Sequence, residues 1–156
     1  MKNKRELFLI FLPILLSIGF ILLFLWDNEH ITRINTEKFN CIDNGVEYYI
    51  DNIEVKKKKF YIIGWAYKYE PNYVNREVLL QNVKNKNEVY ELNTSMVQRQ
   101  DLNDIYNGTH YKYCGFMANG AISSKMKNKK YEILILFNDQ NENEIFHTNQ
   151  ICEIGG

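Results

Sequence analysis

The hydrophobic and polar positions divide the chain into one long apolar run followed by short alternating runs. Residues Leu7 to Trp26 carry no charge. A helix of that length, at about 1.5 Å per residue, matches the roughly 30 Å hydrocarbon core of a bilayer. Pro13, Ser17 and Gly19 interrupt the run, but a membrane helix tolerates such residues. The pattern therefore predicts one transmembrane α-helix at residues 7–26.

Charges on either side of this run predict its orientation. Lys2, Lys4 and Arg5 precede it, whereas Asp27 and Glu29 follow it. Basic residues are retained on the cytoplasmic side, and a tryptophan such as Trp26 favours the interface. We therefore expect a single-pass cell-membrane protein with residues 1–6 cytoplasmic, residues 7–26 in the lipid bilayer and the remainder extracytoplasmic.

Two other interpretations of the run fit less well. A cleaved signal peptide has a shorter apolar core and a cleavage site with small residues, whereas bulky and charged residues follow Phe24. A helix buried inside a soluble domain needs a core that surrounds it on all sides. So small a chain cannot supply that core.

Beyond the helix, residues 27–44 are polar and mixed, which predicts a juxtamembrane stalk. Residues 45–150 alternate short apolar runs with Asn, Asp, Gly and Lys clusters, a pattern typical of strands and turns. Residues 151–156 are predicted to form a C-terminal tail. The seven predicted strands are Val46–Ile53, Phe60–Tyr69, Glu77–Val83, Glu88–Asn93, Tyr111–Ala118, Tyr131–Phe137 and Glu144–Thr148, with a less regular stretch at 95–107.

Two of these strands are apolar on both faces. Tyr131–Phe137 and Phe60–Tyr69 each place large apolar side chains at odd and even positions, which predicts interior strands of a sheet. Seven strands without a long helix among them predict an all-β, immunoglobulin-like two-sheet sandwich of about seven strands. A small barrel remains an alternative.

Composition and charge narrow the possible partners. The chain is 46% hydrophobic and 14% aromatic, as expected of a folded domain, and its 19 basic residues balance 19 acidic ones. Nothing in that balance favours nucleic acid. The run Lys56–Lys59 is interpreted as a solvated hairpin tip, and its alternative is contact with an anionic wall polymer or lipid headgroup.

A family resemblance rests on short pieces spread over about 90 residues. These are Ile63–Ala66, then Arg99–Leu102, then Cys114–Ala118, then the strand that begins at Tyr131. Together they resemble the immunoglobulin-like β-sandwich module found in or beside bacterial surface-polysaccharide glycosyltransferases and small membrane-anchored envelope proteins. The resemblance implies a cell-envelope setting and an immunoglobulin-like topology, and it offers no agreed catalytic site to carry over.

Several residues are candidate binding positions. Trp65, Tyr67 and Tyr69 share one strand face, where they either pack in a core or form a platform that stacks on sugar rings. Gly64 lets a facing ring or backbone approach closely. Arg99 and Asp101 form either a structural ion pair or a ligand clamp.

The sequence contains few signals for metal binding, catalysis or disulfide bonding. The three histidines are scattered and no Cys-x-x-Cys occurs, so neither a metal nor another cofactor is expected. No nucleophile elbow or phosphate loop is present, and no carboxylate pair is singled out. Cys41, Cys114 and Cys152 allow one bridge within a monomer, for which Cys41 with Cys152 is one candidate and three free thiols the alternative.

These observations favour a non-catalytic binding or scaffolding module at the bacterial cell envelope, with a polysaccharide or an envelope protein as partner. An accessory subunit that docks onto a membrane enzyme of surface-polysaccharide synthesis is the alternative. An envelope hydrolase is a third hypothesis, which the sequence supports least.

Overall fold

The structure, a computed structural model, describes residues 2–29, 31–56, 58–69, 75–106, 109–138 and 142–155. The side chains of residues 2–10, 25–29, 103, 109 and 110 lie outside that description, as does Lys57 of the lysine run. The chain divides into two compact units, Met1–His30 and Ile31–Gly156.

The first unit is helix α1 (Lys2–Glu29), so the predicted N-terminal helix is present and extends beyond residues 7–26 at both ends. Pro13 lies inside it, and the Ser17 hydroxyl donates to the Pro13 carbonyl at 2.8 Å. Eleven large apolar side chains between Phe11 and Phe24 are exposed, from 41% to 71%.

Within the part of the chain that the structure describes, no helix combines the length and the hydropathy of a candidate membrane span.

The second unit is a β-sandwich of two sheets. Its strands are β1 (Thr32–Ile34), β2 (Asn40–Ile42), β3 (Val46–Lys56), β4 (Lys59–Lys68), β5 (Asn75–Asn82), β6 (Val89–Glu91), β7 (Asn93–Val97), β8 (Gly115–Ala121), β9 (Lys129–Asn138) and β10 (Asn143–Ile154). The larger sheet has the order β1-β6-β5-β9-β10-β2, and the smaller one β3-β4-β8-β7. As predicted, β9 and β4 are interior strands.

One apolar core fills the space between the sheets. It combines side chains of the smaller sheet, such as Phe60 and Phe116, with side chains of the larger sheet, such as Tyr131 and Ile133. Gly64 lies at a close approach between neighbouring strands, because a Cβ there would come 2.5 Å from Tyr49 O and 2.9 Å from Phe116 Cζ. The close approach expected at this glycine is present.

The prediction of a stalk at residues 27–44 is corrected by the structure, because residues 31–44 belong to the sandwich. β1 pairs antiparallel with β6 and β2 pairs parallel with β10, so this segment, which we name the strap, reaches both edges of the larger sheet. Ile34, at the end of β1, and Phe39, just before β2, pack on a second apolar cluster of that sheet. The members of that cluster are Leu79, Val89, Leu134, Leu136 and Ile145. The strap thus covers the face of the sheet that the sandwich core does not.

Three other boundaries differ from the prediction. The predicted tail at 151–156 is largely strand, because β10 continues to Ile154 and pairs with the start of β9. The stretch at 95–107 contains the end of β7 and helix α2 (Gln100–Tyr106). The predicted strand at Tyr111 begins only at Gly115, because Thr109–Tyr113 form a 3₁₀ turn; a second such turn spans Ser124–Met126. Short elements of this kind carry too little periodicity to be recognised locally.

Candidate functional site

The candidate binding residues meet on the outer face of the smaller sheet. Trp65 and Tyr67 lie on that face of β4, and α2 with the following 3₁₀ turn covers part of it. Trp65 is only 8% exposed and packs with Leu102 and Cys114. The Trp65 ring is therefore not available as the open sugar platform that the sequence allowed.

Aromatic rings continue from Trp65 across this face as one cluster. Tyr106 lies 6.3 Å from Trp65, and Tyr111 stacks on Tyr106 at 4.5 Å and on Tyr67 at 4.4 Å. Tyr69 meets Tyr67 edge-on at 5.7 Å. Since Tyr111 has a ring against each face, neither of its faces is open. The cluster is defined as Trp65, Tyr67, Tyr69, Tyr106 and Tyr111.

A single carboxylate on β3 ties two of these tyrosines together. The hydroxyl of Tyr69 donates to Glu47, and that of Tyr111 donates to Glu47 Oε2 at 3.4 Å. Burial and the nearby Glu47 charge raise the pKa of Tyr111. The phenol is therefore a neutral hydrogen-bond donor at physiological pH and not a base.

Arg99 joins α2 to the sheet through two carboxylates. Its Nε and Nη2 donate to Asp101 at 3.0 and 2.8 Å, and its Nη1 donates to Asp51 at 2.5 Å. Asp51 sits at a bulge of β3, between Ile50 and Asn52, which aims its side chain outward. The hydrogen bonds to Asp101, ahead of those to Asp51, raise the pKa of Arg99. Both acceptors belong to this chain, so the arginine braces the start of α2.

Exposed apolar side chains lie on the same side of the smaller sheet as Arg99 and α2. Tyr49 pairs with Trp65 across β3 and β4 and is 59% exposed, and Met117 of β8 is 40% exposed. Helix α2 adds Ile105 and Tyr106. We name this surface the aromatic face; its exposed members are Tyr49, Tyr69, Ile105, Tyr106 and Met117. The nearby carboxylates are Glu47, Asp51, Asp101 and Asp104, and the nearby cations are Arg76, Arg99 and Lys112, so the surface is net acidic by one charge.

A buried carboxylate that was not recognised in the sequence lies at the other end of the sandwich. Glu88 is 8% exposed and accepts hydrogen bonds from Asn82 at 2.9 Å, Tyr131 at 3.0 Å, Tyr90 at 3.2 Å and Lys129 at 2.8 Å. Burial alone would raise the pKa of Glu88, but the bonds from Lys129, Tyr131 and Asn82 together lower it. So saturated a carboxylate stabilises the fold and has no lone pair open to a substrate. Its only signal in the sequence is an acidic residue at the start of an apolar run.

The predicted bridge between Cys41 and Cys152 is not formed, and all three cysteines are free thiols. Cys41 lies opposite Ile145 of β10, so Cys152 is seven residues further along that strand, roughly 20 Å away. A disulfide needs Cα atoms within about 7 Å. Burial raises the pKa of Cys152 to about 11 and also raises that of Cys114.

We expect a thiol reagent to modify one cysteine of the native protein rapidly and three after denaturation without reductant. Cys41 is exposed, whereas Cys114 and Cys152 are buried and protonated. Absorbance of the released chromophore counts the thiols, and Cys41→Ser should leave the native protein unreactive. A denatured count of one would contradict the free thiols and restore a bridge.

Among the residues that the structure describes, no group of His, Cys, Asp and Glu is arranged to hold a metal ion. Comparison with protein-family models, with curated proteins and with solved structures found no significant match to this chain.

Proposed function

We propose that this protein is a single-pass, membrane-anchored binding module of the bacterial cell envelope that docks onto an envelope protein through its aromatic face. The exposure of Tyr49, Tyr69, Ile105, Tyr106 and Met117 on one side of one sheet carries the proposal. Contiguous exposed apolar surface on a folded domain marks an interaction site.

The membrane anchor is supported by the sequence of the first unit. Leu7 to Trp26 form twenty consecutive residues without a charge, with basic residues before them and acidic residues after them. The apolar side chains between Phe11 and Phe24 point outward all round the helix, which water disfavours and lipid accepts. In this proposal the sandwich is extracytoplasmic.

The order of the strands supports an immunoglobulin-like arrangement for the sandwich. The order β3-β4-β8-β7 corresponds to strands A-B-E-D of that fold, and β6-β5-β9-β10 corresponds to C′-C-F-G. In this correspondence β1 and β2 are additions that come before strand A. We therefore keep the immunoglobulin-like topology as part of the proposal.

Ring geometry favours a protein partner over a polysaccharide. Sugar binding uses open aromatic faces, but Trp65 is buried and both faces of Tyr111 are covered. Exposed tyrosine and methionine side chains beside an arginine are typical of protein interfaces. Because the surface is net acidic, the complementary surface of the partner is basic.

Other side chains support a non-catalytic role. The buried carboxylate of Glu88 is occupied by four donors, and the two buried thiols have raised pKa values. None of these groups combines reactivity with access. Binding therefore explains the surface better than turnover does.

Photocrosslinking in native membranes tests the proposal. A photoreactive phenylalanine analogue at Tyr106, which is 46% exposed, should give one discrete protein adduct in the full-length chain. The matched control is the same analogue at Ile151, which is 56% exposed on the larger sheet and should give none. Tyr49→Ser with Met117→Ser should reduce the Tyr106 adduct about tenfold or more, as expected when interface anchors worth at least 1.4 kcal/mol are lost.

Three outcomes would overturn this proposal. Equal adducts at Tyr106 and Ile151 would remove the aromatic face as the docking site. Retention on a glycan surface that Tyr69→Ala abolishes, without a protein adduct, would replace the protein by a polysaccharide. Release of the full-length chain from membranes by alkaline carbonate would remove the anchor.

A further inference from the structure

Lysines are concentrated at one end of the sandwich. Backbone hydrogen bonds hold neighbouring segments together there: Ile122 N–H donates to Lys58 O at 2.7 Å, and Val83 N–H donates to Lys130 O at 3.0 Å. Asn128 N–H donates to Ile154 O at 2.8 Å in the same region. We name this surface the basic end; its described lysines are Lys56, Lys58, Lys59, Lys84, Lys86, Lys125, Lys127, Lys129 and Lys130.

Carboxylates neutralise only part of this charge. Lys129 pairs with Glu88 at 2.8 Å, Lys86 with Glu132 at 3.1 Å, Lys130 with Glu153 at 3.2 Å and Lys56 with Glu54 at 3.0 Å. Within the described residues no ion pair is formed by four exposed lysines, which are Lys58, Lys84, Lys125 and Lys127. Four uncompensated charges within one end of a small domain attract an anionic surface.

The basic end lies close to the point where the chain enters the domain. Ile31 packs directly against Gly120, where a Cβ would collide with the isoleucine side chain. The next residue of β8, Ala121, pairs with Lys59. Helix α1 ends at Glu29, and a single residue lies between it and Ile31 in the sequence.

We propose that the basic end binds the anionic phospholipid headgroups of the bilayer that holds α1, a proposal that rests on the anchoring proposed above. Tethering raises the effective concentration of headgroups at the nearby lysines. Each lysine at an anionic membrane surface contributes about 1 kcal/mol, or roughly fivefold in the docked equilibrium. Gly115, which lies beside Arg99 and pairs with Trp65, is at the far end of β8 from Ala121, so docking leaves this end of the aromatic face free for its partner.

Amide hydrogen exchange on the full-length chain in nanodiscs tests this. Discs of phosphatidylcholine alone are compared with discs that contain about 30% phosphatidylglycerol, at about 50 mM and about 500 mM salt. Exchange at residues 58–60 and 122–128 should slow at least threefold in the anionic discs at low salt, and high salt should reverse the effect. Lys58→Gln, Lys84→Gln, Lys125→Gln and Lys127→Gln combined should abolish it.

A matched pair of single variants separates surface binding from net charge. Lys58→Gln should weaken the lipid-dependent protection about fivefold, whereas Lys112→Gln, which removes the same charge beside the aromatic face, should leave it unchanged.

Equal protection in neutral discs, or protection that survives the fourfold variant, would overturn the inference while the anchor stands. Equal protection by soluble polyphosphate in neutral discs would assign the basic end to an anionic polymer instead. Loss of the chain from the discs at alkaline pH would overturn the anchor, and the inference with it.

Discussion

We expect a fragment that begins at Gly45 to aggregate, whereas a fragment that begins at Ile31 unfolds cooperatively. Without the strap, the outer face of the larger sheet exposes Leu79, Leu134, Leu136 and their neighbours, each now buried. Ile34 and Phe39 are each partly buried and together contribute about 1.5–3 kcal/mol by burial. The exposure of the cluster beneath them and the loss of two paired strands add to this figure, and the total is a large fraction of the stability of a small domain.

Urea denaturation followed by circular dichroism measures the difference, and sedimentation measures the aggregation. Phe39→Ala in the longer fragment should lower the free energy of unfolding by about 1.5–3 kcal/mol, because its ring is half-buried on the sheet. The matched control is Lys38→Ala, an exposed neighbour that should stay within about 0.5 kcal/mol. Equal midpoints for the two fragments would show that the strap is dispensable.

Replacement of Glu88 by alanine should lower the free energy of unfolding by about 3–5 kcal/mol. It leaves the buried hydroxyls of Tyr90 and Tyr131 and the buried amide of Asn82 without their acceptor. It also removes the ion-pair partner of Lys129, whose side chain is partly exposed. The matched control is Glu153→Ala. Its carboxylate pairs with Lys130 at 3.2 Å on the surface, where such a pair contributes below about 1 kcal/mol. Similar losses in the two variants would contradict the buried network.

Acid should lower the free energy of unfolding in part through the Glu88 carboxylate. The folded pKa of Glu88 is lowered, so its stabilisation is fully present above the unfolded value of about 4.3 and is lost as pH falls through the folded value. Unfolding at pH 7 and at about pH 3 should therefore differ more in the wild type than in Glu88→Gln. A variant with an unchanged pH dependence would assign the acid sensitivity to other groups.

Local patterns were sufficient for the helix and most strands. The alternation in Tyr131–Phe137 and Phe60–Tyr69 predicted interior strands, and β9 and β4 occupy interior positions. The structural alternative for Arg99 with Asp101 also followed from a spacing of two residues. The second acceptor, Asp51, is 48 residues away in the chain and could not be inferred from that spacing.

The strap shows where local patterns fail. Ile34 and Phe39 are isolated apolar residues in a polar segment, and β1 and β2 have three residues each. Two such elements give no measurable period, so the segment resembles a linker. The strap finds its position only on the outer apolar face of the larger sheet, which forms when the strands have paired.

By itself, the sequence determined the N-terminal helix and the strand-rich second unit, because run length and alternation are properties of neighbouring residues. Tertiary structure alone decided that Trp65 lies beneath α2, that Glu88 collects donors from three strands and that the strap reaches both sheet edges. Those outcomes depend on contacts between residues distant in the chain, and burial and hydrogen bonding select them only after the sheets have formed.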